Sequence, residues 1–344
     1  MKKYVKFLLS EFKNDSRNMR EMDAVSSIYD EIIVICPQKN KDYVNTTHYK
    51  VNTYNHYLSK NKFFRFFQIV YSVFFKIPRI ILKENPHTMS CQDLFALFIA
   101  WWSNLFKIKK IKLVYDSHEL EIARNTNGKR GKLAKLLIIK LEKFLMRRAS
   151  FSIFACDSAA LEVYNIHKLK TMPLVVRNIP YKWSIDKNKC ETNRSMILKR
   201  YSVPVDSFVC LYHGIIGYGR GIENLINAIS LTENTVLVIM GMGDEKYIRQ
   251  IKDMISNISP DKIFIIPAVD VSLLHEYVCI ADVGMVTIQA VTLSYYYMLP
   301  NKFFENIQSE NPIICSNFPE VSNIIEKYDI GITVDPTNVI DIAN

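Results

Sequence analysis

Four short stretches hold residue types that can do chemistry together. The first is DSHE at residues 116–119. Asp116 and Glu119 flank His118, and two carboxylates beside an imidazole can orient a sugar hydroxyl or move a proton. A lone histidine is more often structural, but the flanking carboxylates favour a catalytic role for His118. Asp116, Glu119 and Arg17, the last in the polar stretch after the first apolar run, are candidate contacts for a sugar or an acceptor. Metal ligation is the weaker reading, because no second cluster with ligand spacing accompanies this one. No metal is expected.

The second stretch is LYHGIIGYGRG at residues 211–221. Gly214, Gly217, Gly219 and Gly221 permit positive φ and close backbone approach. With Arg220 and the free N–H groups of a following helix they suit an anion, phosphate above all. An ordinary glycine-rich strand-to-helix turn stays open beside that reading, since the run is neither a Walker motif nor GxGxxG. MGMGD at residues 240–244 is a similar junction and reads as a turn. In LPNKFFE at residues 299–305, Asn301 is a helix cap and Lys302 falls in the first turn. The helix dipole disfavours a cation there, and a bound anion would resolve the conflict. Glu305, one turn on, can accept hydrogen bonds from a ribose diol. A solvated Lys–Glu pair at a plain helix start is the alternative.

These residues need a scaffold, and the apolar pattern supplies one. Strands are predicted at 4–9, 31–36, 112–115, 151–155 and 174–177, with helices at 17–28, 132–148 and 158–164. Residues 178–199 are polar and rich in Asn and Lys, and read as a linker. Strands follow at 208–213, 235–240, 262–266, 282–286, 312–315 and 331–334, and helices at 222–229, 245–255, 272–280 and 302–307. Short unbroken apolar runs suit strands covered on both faces, and their alternation with helices predicts two doubly wound parallel sheets. The domains are 1–178, a linker at 179–200, and 201–344. Such proteins place ligands in the cleft at the carboxyl ends of the strands.

Composition narrows the class. The 344 residues are 49% hydrophobic and 23% charged, which excludes disordered, collagen-like and coiled-coil chains. Seven scattered cysteines, an odd count without a CxxC pair, read as free thiols in a reducing cytoplasm. Residues 1–10 are too short an apolar run for a secretory core, and Lys6 interrupts them. Residues 63–82 carry four basic or proline breaks and do not span a bilayer. The net charge of +10 divides into +20 over residues 1–200 and −10 over the rest, so the first half suits an anionic partner. In 132–148 the leucines 133, 137, 141 and 145 form a stripe expected to pack inward, leaving basic residues to rest on anionic lipid. No recognised nucleic-acid motif stands in the sequence, and no nucleic-acid partner is expected. A dehydrogenase is disfavoured by the absence of GxGxxG after the first strand.

Taken in order, KLVYDSHEL (112–120), VVRNIP (175–180), LYHGIIGYGRGIENLINAI (211–229), VIMGMGD (238–244) and LPNKFFENIQSENPIICSNFPE (299–320) resemble the family 4 retaining glycosyltransferases of the GT-B fold. The resemblance implies an α/β protein of two Rossmann-like domains with parallel sheets facing across a cleft. It implies sugar transfer from a UDP- or GDP-linked donor, without cofactor or metal, to a saccharide or lipid-linked acceptor in cell-surface polysaccharide assembly. A cytoplasmic location is expected, with peripheral association at the inner face of the membrane as a further possibility. On this resemblance Gly214 and Arg220 meet the donor diphosphate, Asn301 and Lys302 match a PNK variant beside it, Glu305 binds the ribose, and His118 lies near the transferred sugar. Two positions depart from the family: Ile215 stands where an arginine is frequent, and Tyr297 where the first of two paired glutamates is usual. The chain also ends at Asn344 as a helix is predicted to begin. A nucleotide-sugar epimerase or phosphorylase on the same fold is the alternative, followed by a basic nucleic-acid-binding protein.

Overall fold

The computed structural model describes residues 2–12, 16–38, 48–55, 58–118, 120–123 and 131–344. Contacts divide the chain into two units, Met1–Arg177 and Asn178–Asn344. The first is built on strands β1 (Lys3–Phe7), β2 (Glu31–Gln38), β3 (Lys50–Asn55), β4 (Thr88–Gln92), β5 (Lys112–Asp116), β6 (Phe151–Phe154) and β7 (Leu174–Val175). They form one sheet in the order β3-β2-β1-β4-β5-β6-β7 with every pairing parallel. The second holds β8 (Phe208–Ile216), β9 (Thr235–Gly243), β10 (Ile263–Pro267), β11 (Val283–Val286), β12 (Ile313–Ser316) and β13 (Gly331–Val334). Their order is β10-β9-β8-β11-β12-β13, again all parallel. Each sheet therefore reverses its winding once, between β1 and β4 or between β8 and β11, and each has the Rossmann strand order.

Covered sheets need apolar strands, and β2, β8 and β9 supply runs such as Ile32–Cys36 and Val236–Met240 that are buried throughout. β4 breaks this rule: TMSCQ is polar at three of five positions yet buried at all five. Strands β8 and β9 are nine residues each and stay paired past the body of the sheet, through Gly214↔Gly241 and Ile216↔Gly243. A Cβ on Gly241 would lie 1.8 Å from the Gly214 carbonyl oxygen, so only glycine allows that approach.

Two expectations are revised. Residues 179–200 contain helix Lys187–Arg200, whose Ile197 and Leu198 are buried in a core cluster of the second unit with Val209, Val236 and Val278. The unit boundary thus falls at Arg177, and divided there the charges are +16 and −6. Helix Lys132–Met146 buries Leu145, but Leu133 and Leu137 are exposed. Its C-terminal part lies against helix Asp93–Leu105, where Trp101 and Phe144 meet edge to face at 5.2 Å. Among the described residues no helix is long and apolar enough to cross a membrane.

Candidate functional site

In the first unit a buried polar cluster sits at the carboxyl ends of β1, β4 and β5, beside the point where the sheet reverses. Lys6, inside β1, has no exposed surface. Its Nζ donates to Glu21 Oε2 at 2.6 Å, Asp116 Oδ2 at 2.7 Å and Ser90 Oγ at 3.1 Å. Arg17 Nη2 donates to Asp116 Oδ1 at 2.6 Å. Burial alone would push the Asp116 carboxyl up, but Lys6, the hydrogen bond from His118 and Arg17 outweigh it and hold the group well below the usual range. Asp116 is an anion at neutral pH.

His118 is held at both ring nitrogens. Gln92 Nε2 lies 2.9 Å from Nδ1, and the Gln92 amide is oriented by Asn18 Nδ2, which donates to its Oε1 at 3.0 Å. With Gln92 donating, Nδ1 offers the lone pair, so Nε2 carries the proton toward Asp116 Oδ2 at 3.2 Å. The His118 backbone N–H donates to Asp93 Oδ1 at 3.2 Å, and Asp93 takes φ +65°, a left-handed conformation uncommon outside glycine. The imidazole remains 20% exposed. Such a ring suits orienting a ligand better than abstracting a proton, because neither nitrogen is uncommitted. Arg17, Asp116 and His118 are therefore brought together, while Glu119 lies outside the described residues. Lys6 and Gln92 were missed by sequence reasoning. The signal was present in Lys6, a cation inside the apolar run YVKF.

The second unit gathers its candidates at the end of β8. Helix Asn301–Gln308 starts after Pro300 with no side-chain cap. Asn301 is not the cap expected from sequence, because its Oδ1 accepts from Asn178 Nδ2 at 3.0 Å instead. Lys302, 8% exposed, lies under Gly214: its Cε is 3.6 Å from where a Cβ would sit on that glycine, which takes φ +115°. Lys302 Nζ rests 3.7 Å from the centroid of the Tyr212 ring and, among the described residues, has no hydrogen-bond partner. Burial, and next the Arg220 charge, lower its pKa well below the ordinary lysine value, although Glu305 opposes them. Arg220 lies 4.8 Å over the Tyr295 ring, with Nη1 3.9 Å from Met298 Sδ.

Glu305 is committed to a group the sequence reading overlooked. Buried His213 places Nε2 2.8 Å from Glu305 Oε2. Burial lowers the histidine's pKa against the pull of Glu305, so a neutral ring donates from Nε2. A histidine inside FVCLYHG was the available signal. Of the two departures, Ile215 is exposed, and Tyr297 is half-buried with its ring 5.4 Å from that of Tyr296. Gly214, Arg220, Lys302 and Glu305 thus form one cluster. It offers a buried amine with no hydrogen-bond partner among the described residues, a guanidinium beside it, and a helix N-terminus without a side-chain cap.

Residues 194–344 match the family described as glycosyl transferases group 1. The match covers most of the second unit. The sequence matches no curated protein. Among solved structures, that of Anabaena HepE in complex with UDP is similar over 100% of this chain and 88% of its own, with 13% identity and a TM-score of 0.72. Sucrose-phosphate synthase from Thermosynechococcus elongatus is similar over the same shares, with 14% identity and a TM-score of 0.74. The lipopolysaccharide outer core galactosyltransferase WaaB shares 11% identity, again covering 100% and 88%, with a TM-score of 0.68. At these identities the likeness concerns the fold: two Rossmann-like parallel-sheet units, the GT-B architecture. The family match begins inside helix Lys187–Arg200 and takes in the whole Gly214–Lys302 cluster.

Proposed function

We propose that the chain transfers a sugar from a UDP- or GDP-linked donor to a saccharide or lipid-linked acceptor with retention of configuration. We place it in cell-surface polysaccharide assembly at the inner face of the membrane. The observation that carries the donor half is Lys302: a buried amine with no hydrogen-bond partner among the described residues, beside Arg220 and a helix start without a side-chain cap, suits an anion with several oxygens. A diphosphate is such an anion. HepE bound to UDP, on the same fold, supports the choice.

In the reaction the acceptor oxygen bonds to the anomeric carbon on the face the diphosphate leaves. The carbon–phosphate oxygen bond breaks, and the acceptor proton passes to the departing diphosphate. Arg220 and Lys302 stabilise the charge that grows there, in a site where little water screens them. Glu305, fixed by neutral His213, takes the ribose diol. His118, with both nitrogens fixed by the protein, orients the sugar or acceptor hydroxyls. Arg17 and Asp116 hold its neighbourhood, and the positive charge comes from side chains, so no metal enters the proposal.

Calorimetric titration of Arg220→Ala with UDP and GDP tests the donor half. The variant should lose about 1.5–3 kcal/mol of binding, the worth of a charge-assisted hydrogen bond. Equal affinity in wild type and variant would overturn the assignment.

A further inference from the structure

Helix Lys62–Tyr71 buries none of its ten residues. Phe63, Phe64, Phe66 and Phe67 are 66%, 61%, 62% and 53% exposed. They pack on one another instead, with centroids 4.8 Å apart for Phe63 and Phe67 and 5.6 Å for Phe66 and Phe67. An amphipathic helix normally lays its apolar face on the core. Among the described residues this one has no core beneath it, yet it is well anchored. Asn61 caps its start by accepting from the Phe63 N–H at 2.9 Å, and the helical run continues through Ser72–Lys76 into Ile77–Glu84, where Ile77 and Ile81 are buried. The result is a rod fixed at one end and carrying bare aromatic rings at the other.

Charge selects what covers those rings. From residue 60 to residue 83 the chain has Lys60, Lys62, Arg65, Lys76, Arg79 and Lys83 and no acidic residue. The first carboxylate is Glu84, already paired with Lys3 at 3.3 Å. A second copy docking through the same face would set six cations against six, and an uncharged protein groove would leave them unused. An anionic bilayer answers both features, since rings settle at the boundary of headgroups and acyl chains while Lys and Arg reach lipid phosphates.

We infer that helix Lys62–Tyr71 docks the chain on anionic membrane by inserting Phe63, Phe64, Phe66 and Phe67 into the interfacial layer. The inference rests on the membrane-side part of the function proposed above and gives it a surface, an orientation and an apolar term beyond simple charge attraction. Lipid binding itself requires neither donor nor acceptor, so its test is independent of the nucleotide site.

The full chain is floated with vesicles of phosphatidylcholine alone or mixed with phosphatidylglycerol, without nucleotide, across a salt series. Wild type should bind the mixed vesicles, and salt should weaken that binding without abolishing it. The F63S/F64S/F66S/F67S variant should bind about a hundredfold more weakly. Its melting temperature and UDP affinity should match wild type, since no core contact is removed. The K62Q/R65Q/R79Q/K83Q variant should lose the preference for phosphatidylglycerol. The inference is overturned if the serine variant binds mixed vesicles as wild type does. It is also overturned if wild type ignores vesicles and is instead a dimer that the serine changes dissociate, or if it binds double-stranded DNA more tightly than the mixed vesicles. Loss of UDP binding in wild type would refute the donor reading and leave the vesicle result standing.

Discussion

Replacing Lys302 by methionine should make the ligand-free protein more stable and the proposed enzyme worse. Methionine fills much the same volume over the Tyr212 ring, where Nζ now sits 3.7 Å from the centroid, and it removes a buried amine that has no hydrogen-bond partner among the described residues. An unsatisfied buried polar group costs about 1–3 kcal/mol, more when charged. At roughly 2–4 °C per kcal/mol for a domain of this size, the melting temperature should rise by several degrees. Binding should move the other way. Losing a charge-assisted hydrogen bond of about 1.5–3 kcal/mol weakens UDP or GDP by roughly 10- to 150-fold. The pH dependence adds an internal check. Folding lowers the Lys302 pKa well below 10.5, so the unfolded chain holds that proton more tightly. Wild-type stability should therefore climb as pH rises from the depressed folded value toward 10.5, and the Lys302→Met protein should lack that climb. Thermal melts across pH, with and without nucleotide, and calorimetric titration read all three. A variant that melts lower and binds nucleotide as tightly as wild type would refute the reasoning.

Two further outcomes follow from the same geometry. A Glu305 carboxylate that grips both ribose hydroxyls should favour UDP over 2′-deoxy-UDP, because losing one hydroxyl strands a buried acceptor, and Glu305→Gln should shrink the preference; equal wild-type affinities measured by calorimetry would remove the claim. His118→Ala should lower turnover by about 10²-fold, the cost of a lost positioning contact, with melting temperature and UDP affinity nearly unchanged, since Lys6 and Arg17 still hold Asp116; early melting would instead mark His118 as a structural residue.

Much of the scaffold was legible because covered parallel strands leave a simple apolar signature. β2, β8, β9 and β11 were visible in runs such as EIIVIC and TVLVIM. What stayed hidden was hidden by function and by context. β4 reads TMSCQ because Ser90 and Gln92 are spent on Lys6 and His118, so the strand that builds the first cluster lacks the pattern of a strand. Helix Lys187–Arg200 is polar apart from Cys190 and the short run Met196–Leu198, and only packing against the second sheet reveals why Ile197 and Leu198 are there. In the site, residue type and position pointed to Gly214, Arg220, Lys302 and Glu305. The partners His213 and Gln92 were passed over because their roles depend on groups 92 and 26 residues away along the chain. Asn301 was misassigned as a cap, since its amide meets Asn178, a residue 123 positions distant.

The nine-residue pairing of β8 with β9 has a kinetic consequence. Gly214 and Ile216 are laddered to Gly241 and Gly243, and the contact at Gly241 is too close for any side chain. The two glycine clusters, distinct in sequence, are therefore one stiff ribbon, and the first turn of the loop proposed to meet the diphosphate is already folded before a ligand arrives. Only residues 217–220 beyond the ribbon remain to settle around an incoming nucleotide. Association should then be a single-exponential process whose rate is linear in nucleotide concentration and falls with added salt, as expected for charge steering onto a ready-made surface and not for a slow opening step.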